Sequence, residues 1–528
     1  MPSSLGFADE VSLLSSKHAP RWVLCGYLII YGLIQFLLGY RSGFRPAEND
    51  FLGNLNIANG IDFGAIETVH NGFFAAGLPV MLTVIPDNAV FWVTGVISLL
   101  GGLAALVATY VVTGRLAGRW WGLAAVVLLS ANPLFFDYCA SPGPDLIAVG
   151  LTTVALAVYA CEALRKAPPR PMVLLLAGLI FGAAGLFRAH ALVLAGGLLL
   201  WTLLQQHERV RMLAFAGLGV VIGILPQIVI NLLGGFGPLE ADTGFYVYES
   251  TLGMDWYTTG AIPRELFDNP LRVVIDHPLQ FLSAYVMALT NYVIPIALLV
   301  LATLLARSRP ARLVLMSILA STVAFALAVS VASSPRGPLP ILPQAAIGFA
   351  VVLAWTFTRT SAAPLLWQRI AVIGVLVAAV IWPQMREIAL ATAAKQQAAS
   401  ERAAVEAAVL AGGRVTEASQ VLTDDFFLYF TGIPGNVPDR IGGWENISLN
   451  GRQPHIDVSL ASIHDFYCDA RSRGINTVLW KPAPMAALHP GLDAALSGVS
   501  SSPLLVNAAG IGPYVVTELP YVEGECAP

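Results

Sequence analysis

Charge is scarce in this chain. Asp, Glu, Lys and Arg together make up 12% of its 528 residues, where a soluble domain carries about a quarter. The formal net charge is only −4, which excludes the basic face that a nucleic-acid partner requires. Cysteine is nearly as scarce: of five, none falls in a C-x-x-C pair, which argues against a zinc or thiol-redox motif. The polar C-terminal region has no Gly-rich phosphate loop and no catalytic-triad motif. No internal repeat marks two halves of a transporter. What the chain does have is apolar length. Hydrophobic residues make up 56%, mean hydropathy is +0.70, and long apolar runs recur over the first three quarters, the pattern of a polytopic α-helical membrane protein.

Counting runs by length gives about 11 transmembrane helices. The first is Trp22 to Tyr40, read as an uncleaved span because it exceeds a signal-peptide core and no small-x-small cleavage site follows it. Further spans are expected at about residues 89–112, 120–136, 145–164, 212–233, 281–306, 313–331, 339–357 and 370–383. Residues 171–204 are read as two short helices meeting at one face, because Phe187-Arg188-Ala189-His190 interrupts the run. Basic residues then orient the chain. Arg115 and Arg119, Arg165, Lys166 and Arg170, Arg209 and Arg211, Arg307, Arg309 and Arg312, and Arg359 and Arg369 cluster in every second loop. By the positive-inside rule those loops and the N-terminus are cytoplasmic. The long polar loops and the C-terminal region then face outward.

The expected organisation is a transmembrane domain over residues 1–383, whose first outer loop, 41–88, carries a surface helix over Leu55 to Glu67. A helical linker follows over 384–412. Residues 413–528 form a small soluble α/β domain, with strands at Gln420–Leu422, Thr477–Trp480 and Tyr514–Thr517 and a helix at Ile463–Arg473. Cys468 and Cys526 both lie in this domain and could pair if it is outside the cytoplasm.

The residues fit for chemistry gather on the outward face. Asp50 follows Glu48-Asn49 just after the first span. Asp145 follows the Ser141-Pro142-Gly143-Pro144 turn and is a natural cap for the next helix; Asp137 is a weaker candidate nearby. Arg188 and His190 interrupt apolar sequence, where ionisable groups are costly and tend to mark function. Arg336, in Ser334-Pro335-Arg336-Gly337-Pro338, precedes a span on the same face. Each has a plainer reading: a solvated loop acid, a helix cap, or an interfacial cation. Together, outward carboxylates with arginines at a membrane boundary suit transfer of a group from a phosphate-linked lipid. A carboxylate would act as base toward an acceptor hydroxyl. Arginine would take the charge that builds on the leaving phosphate. Glu48, His70 and His190 are further candidates for substrate contact.

These residues stand in an order that resembles the bacterial GT-C superfamily glycosyltransferases, of the protein-mannosyltransferase and aminoarabinose-transferase type. The resemblance covers about Trp22 to Phe357. Its pieces are Asp50 with Asn56-Ile57-Ala58-Asn59-Gly60, then Asn132-Pro133-Leu134-Phe135 leading to Pro144-Asp145. The run Ala177 to Arg188 follows, then Pro226 with Asn231 and Gly237. Last is Arg336-Gly337-Pro338-Leu339-Pro340-Ile341-Leu342-Pro343, like the family's Arg-Tyr-x-x-Pro-x-x-Pro. Phe51 stands where the family often has a Glu, and Gly337 where it has an aromatic.

The resemblance implies an inverting glycosyltransferase that takes its sugar from a polyprenyl-phosphate donor and gives it to a hydroxyl of a cell-envelope acceptor (lipid, glycan or protein) at the periplasmic face of the bacterial inner membrane. It implies Asp50 as catalytic base, Asp145 as a second active-site acid, and Arg188 and Arg336 as donor-phosphate ligands. No cofactor is expected. Asp50 and Asp145 could share a hard cation such as magnesium, but no third ligand has the spacing, so no metal is predicted. The competing classes are a transporter or lipid-linked glycan flippase, and a non-catalytic assembly or polymer-ligating membrane protein.

Overall fold

The computed structural model describes residues 19–42, 50–59, 75–86, 89–204, 208–235, 270–306, 308–330 and 336–359 continuously. Elsewhere it describes shorter stretches and single positions, among them 421–423, 476–480, 506–511 and 514–520. The chain divides into two compact units: Met1–Tyr40, Phe91–Val229 and Leu279–Thr392 form one, and Arg41–Val90, Ile230–Pro278 and Ala393–Pro528 the other.

In chain order the helices are α1 Ala19–Arg41, α2 Asp50–Asn59, α3 Gly77–Leu82, α4 Val90–Leu116, α5 Arg119–Ser130, α6 Pro133–Tyr138, α7 Asp145–Ala163, α8 Pro171–Gly185, α9 Ala191–Leu203, α10 Arg209–Leu233, α11 Pro270–Asp276, α12 Pro278–Leu305, α13 Arg309–Val329 and α14 Leu342–Arg359. A short 3-10 turn, Leu339–Ile341, precedes α14. Seven stretches among the described residues are long and apolar enough to cross a membrane: α1, α4, α7, α10, α12, α13, and Leu339–Phe357. Three shorter apolar helices, α5, α8 and α9, stand where further spans are expected. The chain is a multi-pass membrane protein; the expected span at 370–383 lies outside the described residues.

Two boundaries differ from the sequence expectation. The span expected over 120–136 is two helices, broken where Pro133 has no N–H to continue α5 and the Asn132 side chain accepts from Phe135 N at 3.2 Å to start α6. The surface helix expected from Leu55 begins five residues earlier, at Asp50, and α2 ends at Asn59, beside a glycine that disfavours helix. Asp50 is therefore the first residue of a helix.

Small residues set the packing of the first unit. A Cβ on Gly101 of α4 would lie 2.4 Å from the Leu146 carbonyl oxygen of α7, and one on Gly150 would lie 2.5 Å from the Gly101 oxygen. These two helices touch backbone to backbone, and the tightest contact is one residue from Asp145. Helices α8 and α10 interlock likewise: Gly178 and Gly182 face the Ala216 and Val220 oxygens, and Gly219 and Gly223 face those of Leu175 and Leu179. Close backbone approach through small residues is the usual device of helix pairing in lipid, where there is no hydrophobic drive between helices. One buried core joins α7, α8 and α9 with α12, α13 and α14 around Phe181, Leu198, Leu299 and Phe325. A second joins α1, α4, α6 and α7 around Leu106, Phe135 and Leu146. Buried hydroxyls bond back within their helices, as Thr152 and Thr153 do to the Ala148 and Val149 oxygens. Tyr27 of α1 pairs with Ser130 of α5.

In the second unit, α2 buries Phe51, Leu55, Ile57 and Ala58. Four strands, β1 Val421–Thr423, β2 Thr477–Trp480, β3 Val506–Ile511 and β4 Tyr514–Glu518, form a mixed sheet in the order β1-β2-β4-β3. Strands β1 and β2 run parallel; β4 is antiparallel to β2 and β3. Three of these strands stand where they are expected; β3 is not expected, because its Asn507, Ala508, Ala509 and Gly510 carry little strand propensity. Cys468 and Cys526 form a disulfide with Cα atoms 5.3 Å apart. Around it, the Tyr467 hydroxyl donates to the Pro520 oxygen and Arg471 donates to that of Leu519.

Candidate functional site

Three side chains far apart in sequence meet at the N-terminal end of α7. Pro144, the residue before the helix, ends the preceding turn and gives no side-chain cap. Ser98 of α4 donates to the Gly143 oxygen at 3.2 Å and holds that turn in place. Asp145 is thus the first helical residue. The expectation that its carboxylate caps the helix is replaced by a different role: the carboxylate turns to two arginines.

Arg188 donates from Nη2 to Asp145 Oδ2 at 2.8 Å. Arg336 Nη1 approaches the same oxygen at 3.9 Å. All three side chains are only 12% exposed, so solvent screens these charges far less than surface ones. Arg188 reaches the cluster because α8 stops at Gly185 and a tight turn follows. In it Arg188 N donates to the Ala184 oxygen at 3.1 Å and Ala191 N to the Arg188 oxygen at 2.9 Å. The two short helices expected over 171–204 are α8 and α9, and their junction carries the site. Arg336 sits at the opposite sequence end, in a turn closed by Leu339 N donating to its carbonyl oxygen at 2.9 Å. The run Pro338-Leu339-Pro340 then leads into the buried 3-10 turn.

His190 precedes α9 as its N-cap position. Its ring stands edge-on to Phe325 of α13, centroids 5.5 Å apart, and Phe325 in turn meets Tyr292 of α12. Burial first, and then the Arg188 charge, lower its pKa to about 4, against a weaker opposing pull from Asp145. At neutral pH it is an uncharged imidazole beside a charged trio.

Asp50 opens α2 in the other unit. Asp137 lies on α6. Glu48 and His70 fall outside the described residues. Among the described residues no group of three or more His, Cys, Asp or Glu could hold a metal ion.

A second charged cluster escapes the sequence reading. Glu162, near the C-terminal end of α7, has a side chain only 2% exposed. It accepts from Arg170 N at 2.9 Å, Arg170 Nη2 at 2.8 Å and Arg165 Nη1 at 3.2 Å. The signal was present: Glu162 is a lone acid in an apolar run, three and eight residues from the two arginines. The aromatic wall of Tyr292 and Phe325 gave no such signal, being two aromatics among many apolar residues.

Comparison with known proteins now adds to this geometry. The pattern of the dolichyl-phosphate-mannose-protein mannosyltransferase family matches residues 76–230, the stretch that carries Asp145, Arg188 and His190. No curated protein matches the chain. Among solved structures, ArnT from Cupriavidus metallidurans bound to undecaprenyl phosphate superposes with a TM-score of 0.52 at 12% identity, covering 97% of this chain and 100% of that one. The archaeal oligosaccharyltransferase AglB from Archaeoglobus fulgidus, in complex with an inhibitory peptide and a dolichol-phosphate, superposes with 0.51 at 13% identity, covering 89% and 70%. An Archaeoglobus fulgidus oligosaccharyltransferase in the apo form gives 0.55 at 12% identity, covering 88% of this chain and 70% of that one. The chain has the fold of the GT-C superfamily of membrane glycosyltransferases, the family its ordered motifs resemble.

Proposed function

We propose that the protein is an inverting glycosyltransferase that moves a sugar from a polyprenyl-phosphate donor to a hydroxyl of a cell-envelope acceptor. One observation carries the reading: a buried carboxylate and two buried arginines, brought from positions 43 and 191 residues apart, converge at one end of a membrane helix. Buried charge is costly, and in a membrane protein it tends to mark a substrate path. Two guanidiniums are suited to a phosphate, which they meet with fixed parallel donors. The similar folds of ArnT, bound to undecaprenyl phosphate, and of AglB, in complex with a dolichol-phosphate, support the same donor class.

In the reaction, the acceptor oxygen attacks the anomeric carbon while the bond from that carbon to the phosphate oxygen breaks. The bonding pair leaves with the phosphate, whose added charge the arginines take up. The acceptor proton passes to a carboxylate, assigned to Asp50. Attack opposite the leaving group inverts the anomeric carbon. Asp145 is a supporting acid, since its carboxylate is already engaged by two arginines. No step is routed through a metal. Glu48, His70 and His190 are assigned to substrate contact, and acceptor binding to the C-terminal domain.

The reading extends to topology. The arginine clusters of alternate loops support a cytoplasmic N-terminus. The Cys468–Cys526 disulfide supports a C-terminal domain on the oxidising, periplasmic side of a bacterial inner membrane.

The test is transfer from a panel of labelled polyprenyl-phosphate sugars by the purified protein. Asp50→Asn should lower turnover about 100-fold or more at normal expression. Retained transfer in both Asp50→Asn and Asp145→Asn would sink the mechanism.

A further inference from the structure

We propose that the basic-loop ends of α1, α4 and α5 form a second anion site, which holds the phosphate of an anionic phospholipid headgroup between Arg21, Arg119 and the Tyr110 hydroxyl. It is separate from the donor site, and it rests on the proposed topology only for which leaflet supplies the lipid.

The observation that opens it is a hydroxyl with nothing to bond to. Tyr110 of α4 is only 8% exposed, and its Oη is buried without a hydrogen-bond partner among the described residues. Buried hydroxyls normally find a partner, because leaving one unmet is costly. Packing alone would be served as well by a phenylalanine.

Two neighbouring helices bring cations to that hydroxyl. A Cβ on Gly122 of α5 would lie 2.9 Å from Tyr110 Cδ2, so the ring lies against the first turn of α5, one turn from Arg119. Leu24 of α1 belongs to the same buried cluster as Tyr110, and Arg21 stands one turn before Leu24 on the same face of α1. Both arginines are exposed, so an anion can reach them from outside. The Tyr110 hydroxyl is within electrostatic range of both guanidiniums and of the Cys25 thiol of α1. The start of α5 adds to the positive field. Its N-cap is Gly118, at a φ of 107° that favours glycine, and it offers no side-chain cap to the helix. Anions bind readily at such helix N-termini.

The site is remote from Asp145. Gly101 of α4 touches α7 beside Asp145, and Tyr110 lies about 14 Å farther along α4. Its surroundings mark the headgroup level of a membrane. Trp22 and Trp120, next in sequence to the two arginines, are 75% and 48% exposed, as aromatic residues at a membrane–water boundary are. Arg119 lies in one of the loops that the positive-inside rule makes cytoplasmic, and the cytoplasmic leaflet is the one with a negative surface. An exposed pair of arginines alone attracts any such surface. The buried Tyr110 O–H, donating to a phosphate oxygen, makes the difference between general attraction and a site.

The experiment titrates the full-length protein, stripped of lipid in a neutral detergent, with phosphatidylglycerol, phosphatidylethanolamine or inorganic phosphate. Bound lipid is read by native mass spectrometry and stability by melting temperature. Wild type binds phosphatidylglycerol about 10-fold more tightly than phosphatidylethanolamine, and inorganic phosphate leaves its melting temperature unmoved. Tyr110→Phe melts no lower than wild type before lipid is added, because the lost hydroxyl had no partner. It then binds phosphatidylglycerol about 10-fold more weakly. Arg21→Gln and Arg119→Gln each weaken that lipid about fivefold. Arg209→Gln, exposed at the start of α10 in another basic loop, leaves it unchanged.

A Tyr110→Phe protein that binds phosphatidylglycerol as wild type does would overturn the site. So would an Arg209→Gln protein as weak as Arg119→Gln, which is the mark of diffuse attraction. Inorganic phosphate as stabilising as the lipid would overturn the lipid as occupant. Should Tyr110→Phe not purify, Arg21→Gln against Arg209→Gln decides, and equal binding by those two overturns the site.

Discussion

Helix α7 carries a buried carboxylate near each end, and the two are built differently. Asp145 holds Arg188 and Arg336, drawn from distant parts of the chain, and all three side chains are about nine-tenths buried. Glu162 holds Arg165 and Arg170, three and eight residues away, whose side chains are 41% and 61% exposed. The helix dipole favours an acid at the first end and disfavours one at the second, so Glu162 depends on its arginines in a way that Asp145 does not. The Glu162 cluster is a local staple that fixes the loop between α7 and α8. The Asp145 cluster concentrates cationic groups where they are shielded from water, with the backbone contacts of α4, α8 and α10 holding it in shape. The difference separates, on one helix, charge paired with near neighbours in sequence from charge gathered from distant parts of the chain.

Breaking each cluster should expose that difference. Asp145→Leu strands two buried guanidiniums and should cost about 3–5 kcal/mol of stability, read as loss of monodisperse protein or a large fall in melting temperature in detergent. Glu162→Leu frees arginines that can swing into water, so its cost should be smaller, about 1.5–3 kcal/mol for the lost charged hydrogen bonds, by the same melting assay.

His190 sharpens the comparison by pH. Its folded pKa of about 4 lies below the unfolded value near 6.5. Its contribution to stability is therefore complete above about pH 6.5 and is lost progressively as pH falls toward 4. The melting temperature of wild type should fall between pH 7 and 5 more than that of His190→Gln. The transfer rate should have no inflection from His190 between pH 6 and 8. Smallest of all, Arg165→Gln at the exposed side of the Glu162 staple should change stability by about 0–1 kcal/mol and leave transfer unaltered.

Much of this was legible in advance. Apolar run length placed the described spans, and the interruption at Arg188 marked the junction of α8 and α9. Proline and glycine around Asp145 and Arg336 marked turns, and an ionisable residue at each turn marked a candidate. What sequence could not supply was direction. Asp145 reads as a helix cap, because a residue after Pro-Gly-Pro at a helix start usually is one; only the distant arginines decide where its carboxylate turns. Glu162 is hidden for the opposite reason: Arg165 and Arg170 have a complete reading as basic loop residues under the positive-inside rule, which calls for no acid partner. Strand β3 was missed because its Ala and Gly are placed by pairing with β4 rather than by their own propensity.

The most direct test of the account sets one cluster against the other in a single assay. Sugar transfer from a polyprenyl-phosphate donor is measured for purified wild type, Arg336→Gln and Arg170→Gln at matched folded protein. The account predicts a loss of about 100-fold or more for Arg336→Gln and wild-type transfer for Arg170→Gln. Equal transfer in the two variants would contradict it.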